Sequence, residues 1–415
     1  MNDPGDFQWL ASAQAAEAWA LCRDAEAFSP AALVRLGLRR SQIQQLQVQV
    51  EFAIGAARRK VSDPWNWFWT KTLLEQASDQ LTAEDTARDF PQDAYVVDAC
   101  CGAGVDAIAI AKQLSQCNLS RGRILAVDSS EVACLLTELN AANNGVALEV
   151  QRASFERTLI SRSDWLHIDP DRRVDGRTVN LYATEPSWSE IAQRIEHVRG
   201  ASIKAAPGFQ PDGDFQWGVC GPPDTRRWIS RDGSVRQQRL YWRVPRWEPA
   251  KRVVSVHRRT SGWVHEFFDV QSMHHEDPFS RIVQEPSEIE APAFIADQDP
   301  ALRAAHCVVP IAHRLQLRLV GNEFGYCLAN SPIEHPMLRW FRVLEMMPLD
   351  RKKVRAMTRG QKVKRWELKS RNVDVDLVQW QKDLVTDPGS ELVRWLLITK
   401  IGKKHLCFVC QECGL

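Results

Sequence analysis

The chain has 415 residues, 44% apolar and 25% charged, the composition of a globular protein. Lys and Arg number 53 and Asp and Glu 52, a net charge of +1. That excludes a global polycation but not a local basic patch. No apolar run reaches the roughly 18 residues that cross a bilayer, and MNDPGDFQWLASAQ lacks the basic start and apolar core of a secretory leader. Eleven cysteines, with Cys100 and Cys101 adjacent, fit a reducing cytoplasm better than a disulfide framework.

Residues 1–90 read as helical, with apolar residues at helical spacing after Ser29-Pro30. A break at Ser62-Asp63-Pro64 precedes the aromatic run Trp65, Trp67, Phe68, Trp69. From residue 94 short β-branched runs alternate with helical patterns. Strands are expected at 94–99, 123–128, 147–151, 164–169 and 201–205, and helices at 104–114, 131–143 and 187–198. This alternation predicts a doubly wound, mostly parallel sheet. The runs 226–230 and 236–244 flank Asp232-Gly233 as a hairpin. Residues 270–300, rich in Glu, Asp, Pro and His, read as part of a connector, and 331–415 as a separate basic α/β piece.

The stretch Val96-Val97-Asp98-Ala99-Cys100-Cys101-Gly102-Ala103-Gly104 runs a strand into a small-residue loop and then a helix. In a doubly wound sheet ligands bind at such loops, and glycine lets the backbone approach them closely. A dinucleotide would place its pyrophosphate at the helix N-terminus, where Asp98 and Asp106 repel it. S-adenosyl-L-methionine carries an ammonium and a sulfonium and favours an acid there. Asp98 is then expected to take the amino group, with Cys100, Gly102 and Gly104 beneath the ligand. Asp128 is placed for the ribose hydroxyls with Ser129 beside it, and Ser154 and Phe155 border the adenine. The spacing from Asp98 to Asp128 places a loop at 113–122.

These motifs resemble those of class I S-adenosylmethionine-dependent methyltransferases that act on RNA, and the cofactor loop is similar to that of trimethylguanosine synthase. More closely, the chain resembles bacterial class I methyltransferases with a C-terminal THUMP-like domain. The segment Phe68-Trp69-Thr70-Lys71-Thr72-Leu73-Leu74-Glu75-Gln76-Ala77 carries that resemblance. So do Asp169-Pro170-Asp171-Arg172-Arg173, Lys204-Ala205-Ala206-Pro207-Gly208 and the stretch 340–410. The resemblance implies a Rossmann-like seven-stranded sheet and four regions: a helical 1–90, a catalytic 91–265, a connector 266–330 and a THUMP-like 331–415.

Asp169 and Pro170 end the fourth strand, where enzymes of this fold face the methyl group. Asp169 is the candidate to orient or deprotonate the acceptor, with Pro170 and Lys204 beside it. The second proline and aromatic that amine methylases often carry are absent, since Asp171 and Arg172 stand there. Arg172 and Arg173 suit a phosphate or carboxylate clamp, and Phe68 and Trp69 a stacking face.

Residues 351–371 hold ten basic residues and one acid. Lys352, Lys353, Arg355, Lys362, Lys364 and Arg365 are the expected contacts to an RNA backbone. The full 331–415 segment carries 17 Lys/Arg against 10 Asp/Glu, so the balanced total conceals a charge-segregated chain. Cys407, Cys410 and Cys413 lie three apart on an expected strand, which turns successive thiols to opposite faces and argues against a metal site. The reading is an S-adenosylmethionine-dependent methyltransferase acting on RNA, with no membrane or obligate protein partner inferred. A non-catalytic RNA-binding protein and a small-molecule methyltransferase are the alternatives.

Overall fold

The computed structural model describes the whole chain except residues 1–3, 25–27, 116–122, 159, 162–163, 172, 175–176, 179–182, 212–214, 248–250, 270–281, 291–292, 323 and 415, and the side chains of residues 6, 173, 174, 177 and 178. The chain divides into two compact units. One holds residues 1–226 and 238–249, the other 227–237 and 250–415. No helix among the described residues is long and apolar enough to cross a membrane.

The first unit opens with α1 (Pro4–Gln8), α2 (Ala13–Asp24), α3 (Pro30–Arg35), α4 (Arg40–Ile54), α5 (Lys71–Gln76) and α6 (Gln80–Ala87). Next come β1 (Tyr95–Ala99), α7 (Val105–Ser115), β2 (Arg123–Asp128), α8 (Glu131–Asn143), β3 (Glu149–Arg152) and β4 (Trp165–Ile168). A two-stranded pair, β5 (Arg173–Val174) and β6 (Arg177–Thr178), precedes α9 (Trp188–Glu196), β7 (Gly200–Ala205), β8 (Thr225–Arg231) and β9 (Ser234–Trp242). Strands β1, β2, β3, β4 and β7 are mutually parallel, and β9 pairs with β7 antiparallel through residues 238–242. The order in this unit is β3-β2-β1-β4-β7-β9. β8 falls with the second unit except for its first two residues, so the described sheet of this unit has six strands rather than the expected seven. Asp232 and Gly233 both have positive φ, +50° and +74°, the twist a two-residue hairpin turn needs. The loop expected at 113–122 lies largely outside the described residues.

The helical N-terminal region shares a core with the sheet's helices. Phe7, Trp19, Leu33, Leu46, Trp65 and Phe68 pack with Val132 and Leu136 of α8. Trp19 meets Trp65 and Phe68 with ring centroids 5.0 Å apart. The extended segment at 67–69 has no strand partner, so side-chain amides satisfy its backbone. Gln49 Nε2 donates to Trp69 O and its Oε1 accepts from Trp69 N, both at 2.8 Å. Asn140 Oδ1 accepts from Phe68 N (2.7 Å), and Nδ2 donates to Phe68 O (3.1 Å) and Ala103 O (2.9 Å). Phe68 and Trp69 are therefore interior residues, not the substrate-stacking face their sequence suggests. An aromatic run between amphipathic helices packs those helices before it meets any ligand.

The second unit contains β10 (Lys251–Arg258) and β11 (Gly262–Asp269), an antiparallel pair. It continues with β12 (Ile282–Val283), β13 (Phe294–Gln298), α10 (Pro300–Ala304), α11 (Val308–Arg314), β14 (Arg318–Val320), β15 (Cys327–Ala329) and β16 (Leu338–Pro348). It ends with α12 (Arg351–Gly360), β17 (Arg365–Ser370), α13 (Leu377–Asp383), β18 (Val393–Ile401) and β19 (Lys404–Glu412). One sheet runs β12-β14-β15-β13-β16-β19-β18-β17. The described part of the expected connector at 266–330 thus supplies strands to the sheet that 331–415 completes. Its buried Ile295, Val320 and Leu328 share a core with Phe341, Trp395 and Phe408. The polar 270–281, which suggested a linker, lies outside the described residues. On β19, Cys407 packs with Val354 and Trp366 while Cys410 packs with Tyr326 and Trp395. The two thiols therefore occupy opposite faces of the strand.

Asn140→Ala should lower the unfolding free energy by about 3 kcal/mol, because buried backbone groups on two segments lose their partners. Urea unfolding measures this, and a loss below about 1 kcal/mol would show that the amide does not hold the two segments.

Candidate active site

The strand order reverses between β1 and β4, and in a doubly wound sheet ligands enter at the carboxyl ends flanking such a point. The loop leaving β1 is shaped for close approach. Cys100, Gly102 and Gly104 all have positive φ, +60°, +58° and +83°. A Cβ on Gly104 would stand 2.9 Å from Thr137 Cγ2, so only glycine fits there. Thr137 Oγ1 donates to Gly102 O at 3.0 Å, and Asn140 holds Ala103.

Asp128 ends β2 against this loop. Its Oδ2 accepts from Gly102 N at 3.0 Å and its Oδ1 from Ser130 N at 2.9 Å. Burial pushes its carboxyl up, opposed by these backbone N–H groups. The Ser129 N–H donates to the carboxylate as well, which leaves it about one acceptor position. Ser129 is exposed. Ser154 is half-buried, and Phe155 is buried among Ala99, Leu166 and Ile168. Phe155 is thus a core residue at the strand ends, and no open ring face stands ready for adenine.

Beneath the loop lies a run of buried charged groups that the sequence reading did not join together. Asp98 and His167 are register partners on β1 and β4, with Asp98 Oδ1 2.6 Å from His167 Nδ1. His167 Nε2 is 2.6 Å from Nη1 of Arg239 on β9. A guanidinium can only donate, so Nε2 is the acceptor and Nδ1 carries the hydrogen donated to Asp98. His167 is therefore the neutral tautomer. Arg239 Nη2 donates to Asp106 Oδ1 on α7 at 3.2 Å. Burial, the largest influence on Asp106, is outweighed by Arg239 and its other cationic and hydrogen-bonding neighbours, which hold its carboxyl below the usual range. Burial pushes Asp98 up. Its second oxygen, Oδ2, is buried with no partner among the described residues.

Ser78, between α5 and α6, hydrogen-bonds Asp106 and accepts from Lys204 Nζ at 3.1 Å. Lys204 Nζ also donates to Asp169 Oδ2 at 2.5 Å. Asp169 and Lys204, singled out separately from sequence, are therefore one ion pair, half-open to solvent on the Asp169 side. Pro170 is buried beside it. Arg172 and the Arg173 side chain lie outside the described residues. His167 had a weak signal, a polar residue inside the apolar strand WLHI, whereas Arg239 follows Gln237 and Gln238 in the polar part of β9 and had none. The Cys100 thiol is driven strongly up by burial and then by Asp128, Asp169, Asp98 and Asp171. Among the described residues no group of His, Cys, Asp or Glu is arranged to hold a metal ion.

In the second unit Lys352, Lys353, Arg355 and Lys362 are exposed and have no carboxylate partner among the described residues. Lys364 pairs with Glu391 (3.0 Å) and Arg365 with Glu367 (2.7 Å).

Residues 338–412 match the THUMP domain-like family model. An uncharacterized S-adenosylmethionine-dependent methyltransferase from each of two Mycobacterium tuberculosis strains is 25% identical over 347 residues, which are 83% of this chain and 87% of the relative. A methyltransferase-fold crystal structure from Porphyromonas gingivalis W83 superposes with a TM-score of 0.70 at 14% identity. It covers 91% of this chain and 92% of its own. The chain thus has a methyltransferase fold, resembles S-adenosylmethionine-dependent methyltransferases along most of its length, and carries a THUMP domain-like segment at 338–412.

Proposed function

We propose that RNA is the acceptor for which this S-adenosylmethionine-dependent methyltransferase is built. The observation that carries this reading is the cationic surface of α12 and the residues after it. Arg351, Lys352, Lys353, Arg355 and Arg359 are exposed on one short helix whose buried positions are Val354 and Thr358. Only Arg351 among these five has a carboxylate partner among the described residues, Asp383 at 3.4 Å. Closely spaced cations without acids suit a phosphate backbone. The reading is also supported by the THUMP domain-like match.

The residues around the β1 loop fit the methyl donor. The linked groups count three acids, Asp98, Asp106 and Asp169, against two cations, Arg239 and Lys204, because His167 is neutral. They are one positive charge short, and Asp98 Oδ2 is a buried acceptor without a donor. An ammonium at Asp98 answers both. Asp128 would take a ribose hydroxyl on its remaining acceptor position, and the turn at 100–104 lets the ligand lie against backbone. When bound, the cofactor supplies an electrophilic methyl group on sulfonium.

Lys204 fixes Asp169 by one oxygen, and Oδ1 has no partner among the described residues. That oxygen can accept an N–H or O–H hydrogen from the acceptor, orienting its lone pair and taking its proton. Orientation is the main contribution such a site makes to a displacement at carbon.

Asp98→Asn keeps an acceptor for His167 but removes the charge. It should weaken S-adenosylhomocysteine binding at least tenfold, the scale of a lost charge-assisted hydrogen bond, while 5′-methylthioadenosine, which lacks the amino acid, changes less than twofold. Calorimetry with both ligands decides, and an equal loss for both would contradict this placement of the ammonium. Reversing Lys352, Lys353 and Arg355 to Glu should reduce RNA affinity at least tenfold and leave S-adenosylhomocysteine affinity unchanged. Mass spectrometry of RNA nucleosides from a strain lacking the protein should show one methylated nucleoside missing relative to its parent. An unchanged nucleoside profile would count against RNA as acceptor.

A further inference from the structure

The second unit holds another cationic group, built around one buried carboxylate. Asp297, at the end of β13, is buried. Arg371 donates to its Oδ1 through Nη2 (2.7 Å) and Nε (3.0 Å), Arg303 of α10 through Nη1 (3.4 Å), and Lys369 of β17 donates to Oδ2. Three cations thus share one acid. The neighbouring Asp299 is taken by Arg258 at 2.9 Å and caps α10. Two positive charges are left without a counter-ion.

The excess sits at a half-open surface. Arg303, Lys369 and Arg371 are 22%, 33% and 19% exposed. Nε and Nη2 of Arg303 have no partner among the described residues. Burial and then the nearby charge of Arg371 hold the Arg303 guanidinium below its ordinary range, so the two cations repel one another. A group that relieves this must be an anion with several acceptor oxygens.

The surrounding loop adds an aromatic. Gln298 Nε2 donates to Gly325 O at 2.7 Å, and the Tyr326 ring lies 5.9 Å from the Arg371 guanidinium. On the same loop Phe324 is 42% exposed and meets His306, just past α10, edge-on at 5.9 Å. Cations beside an exposed aromatic are the components that hold a nucleotide of a single strand.

We propose that Arg303, Lys369 and Arg371 form a phosphate-binding site that takes one phosphate of an RNA strand, with the adjoining base on Phe324. The phosphate chemistry stands on these residues alone; its source in RNA rests on the function proposed above.

The experiment uses the full chain and the double variant Arg303→Gln/Lys369→Gln, with Arg303→Lys as a charge-preserving control. Pyrophosphate at constant ionic strength should raise the thermal midpoint of the wild type and of Arg303→Lys, and leave the double variant unmoved. A short single-stranded RNA should bind the double variant about tenfold more weakly, with a salt slope smaller by about one. If a backbone phosphodiester fills the site, oligonucleotides with a 5′-phosphate and with a 5′-hydroxyl lose affinity alike. If a terminal phosphate fills it, only the 5′-phosphorylated strand does. No pyrophosphate shift in the wild type beyond that of chloride overturns the site. RNA binding equal in wild type and double variant overturns its use for RNA while leaving the acceptor reading intact. A pyrophosphate shift without any RNA binding keeps the site and removes the RNA reading.

Discussion

A buried ionised carboxylate is tolerated only with a partner, and that constraint organises the first unit. Asp98, fully buried at the end of a central strand, depends on His167. His167 can donate to it only because Arg239 occupies the other ring nitrogen. Arg239, itself fully buried, depends on Asp106. The connection continues through Ser78 to Lys204 and Asp169, so the acids proposed to face the cofactor and the acceptor belong to one connected set. Removing Arg239 strands Asp106 in the interior.

The set also explains why the N-terminal helices share a compact unit with the sheet. Ser78 enters the network from the junction of α5 and α6, and Asn140 bonds both the Phe68 backbone and the β1 loop. The strand carrying Arg239 is fastened too. Buried Asp89 accepts from Tyr241 Oη (2.8 Å), Trp247 Nε1 (3.0 Å) and Arg246 Nη1 (3.1 Å). These contacts fix the residues that in turn fix the site.

That Asp98, Asp128, Asp169 and Lys204 gather at strand ends around the loop after β1 was legible in the sequence, because the strand boundaries were. The link between His167 and Arg239 was not, because a polar residue on one strand gives no sign of a partner two strands away. Phe68 and Trp69 misled for a related reason. Aromatic side chains serve stacking and core packing equally, and only the amides of Gln49 and Asn140, distant in sequence, determine which. The connector misled because local polarity near 270–300 masked short apolar runs at 294–298 and 318–320, which gain meaning only when paired with strands beyond 338.

Cys100 lies in the loop after β1, within the electrostatic reach of the acids proposed to recruit the methyl donor. A thiolate would be a strong nucleophile beside an electrophilic methyl group. The carboxylates of Asp128, Asp169, Asp98 and Asp171, together with burial, keep it a protonated thiol. With the methyl donor where it is proposed to bind, the charge that attracts it would also disarm the protein's own sulfur and protect the loop from alkylating itself.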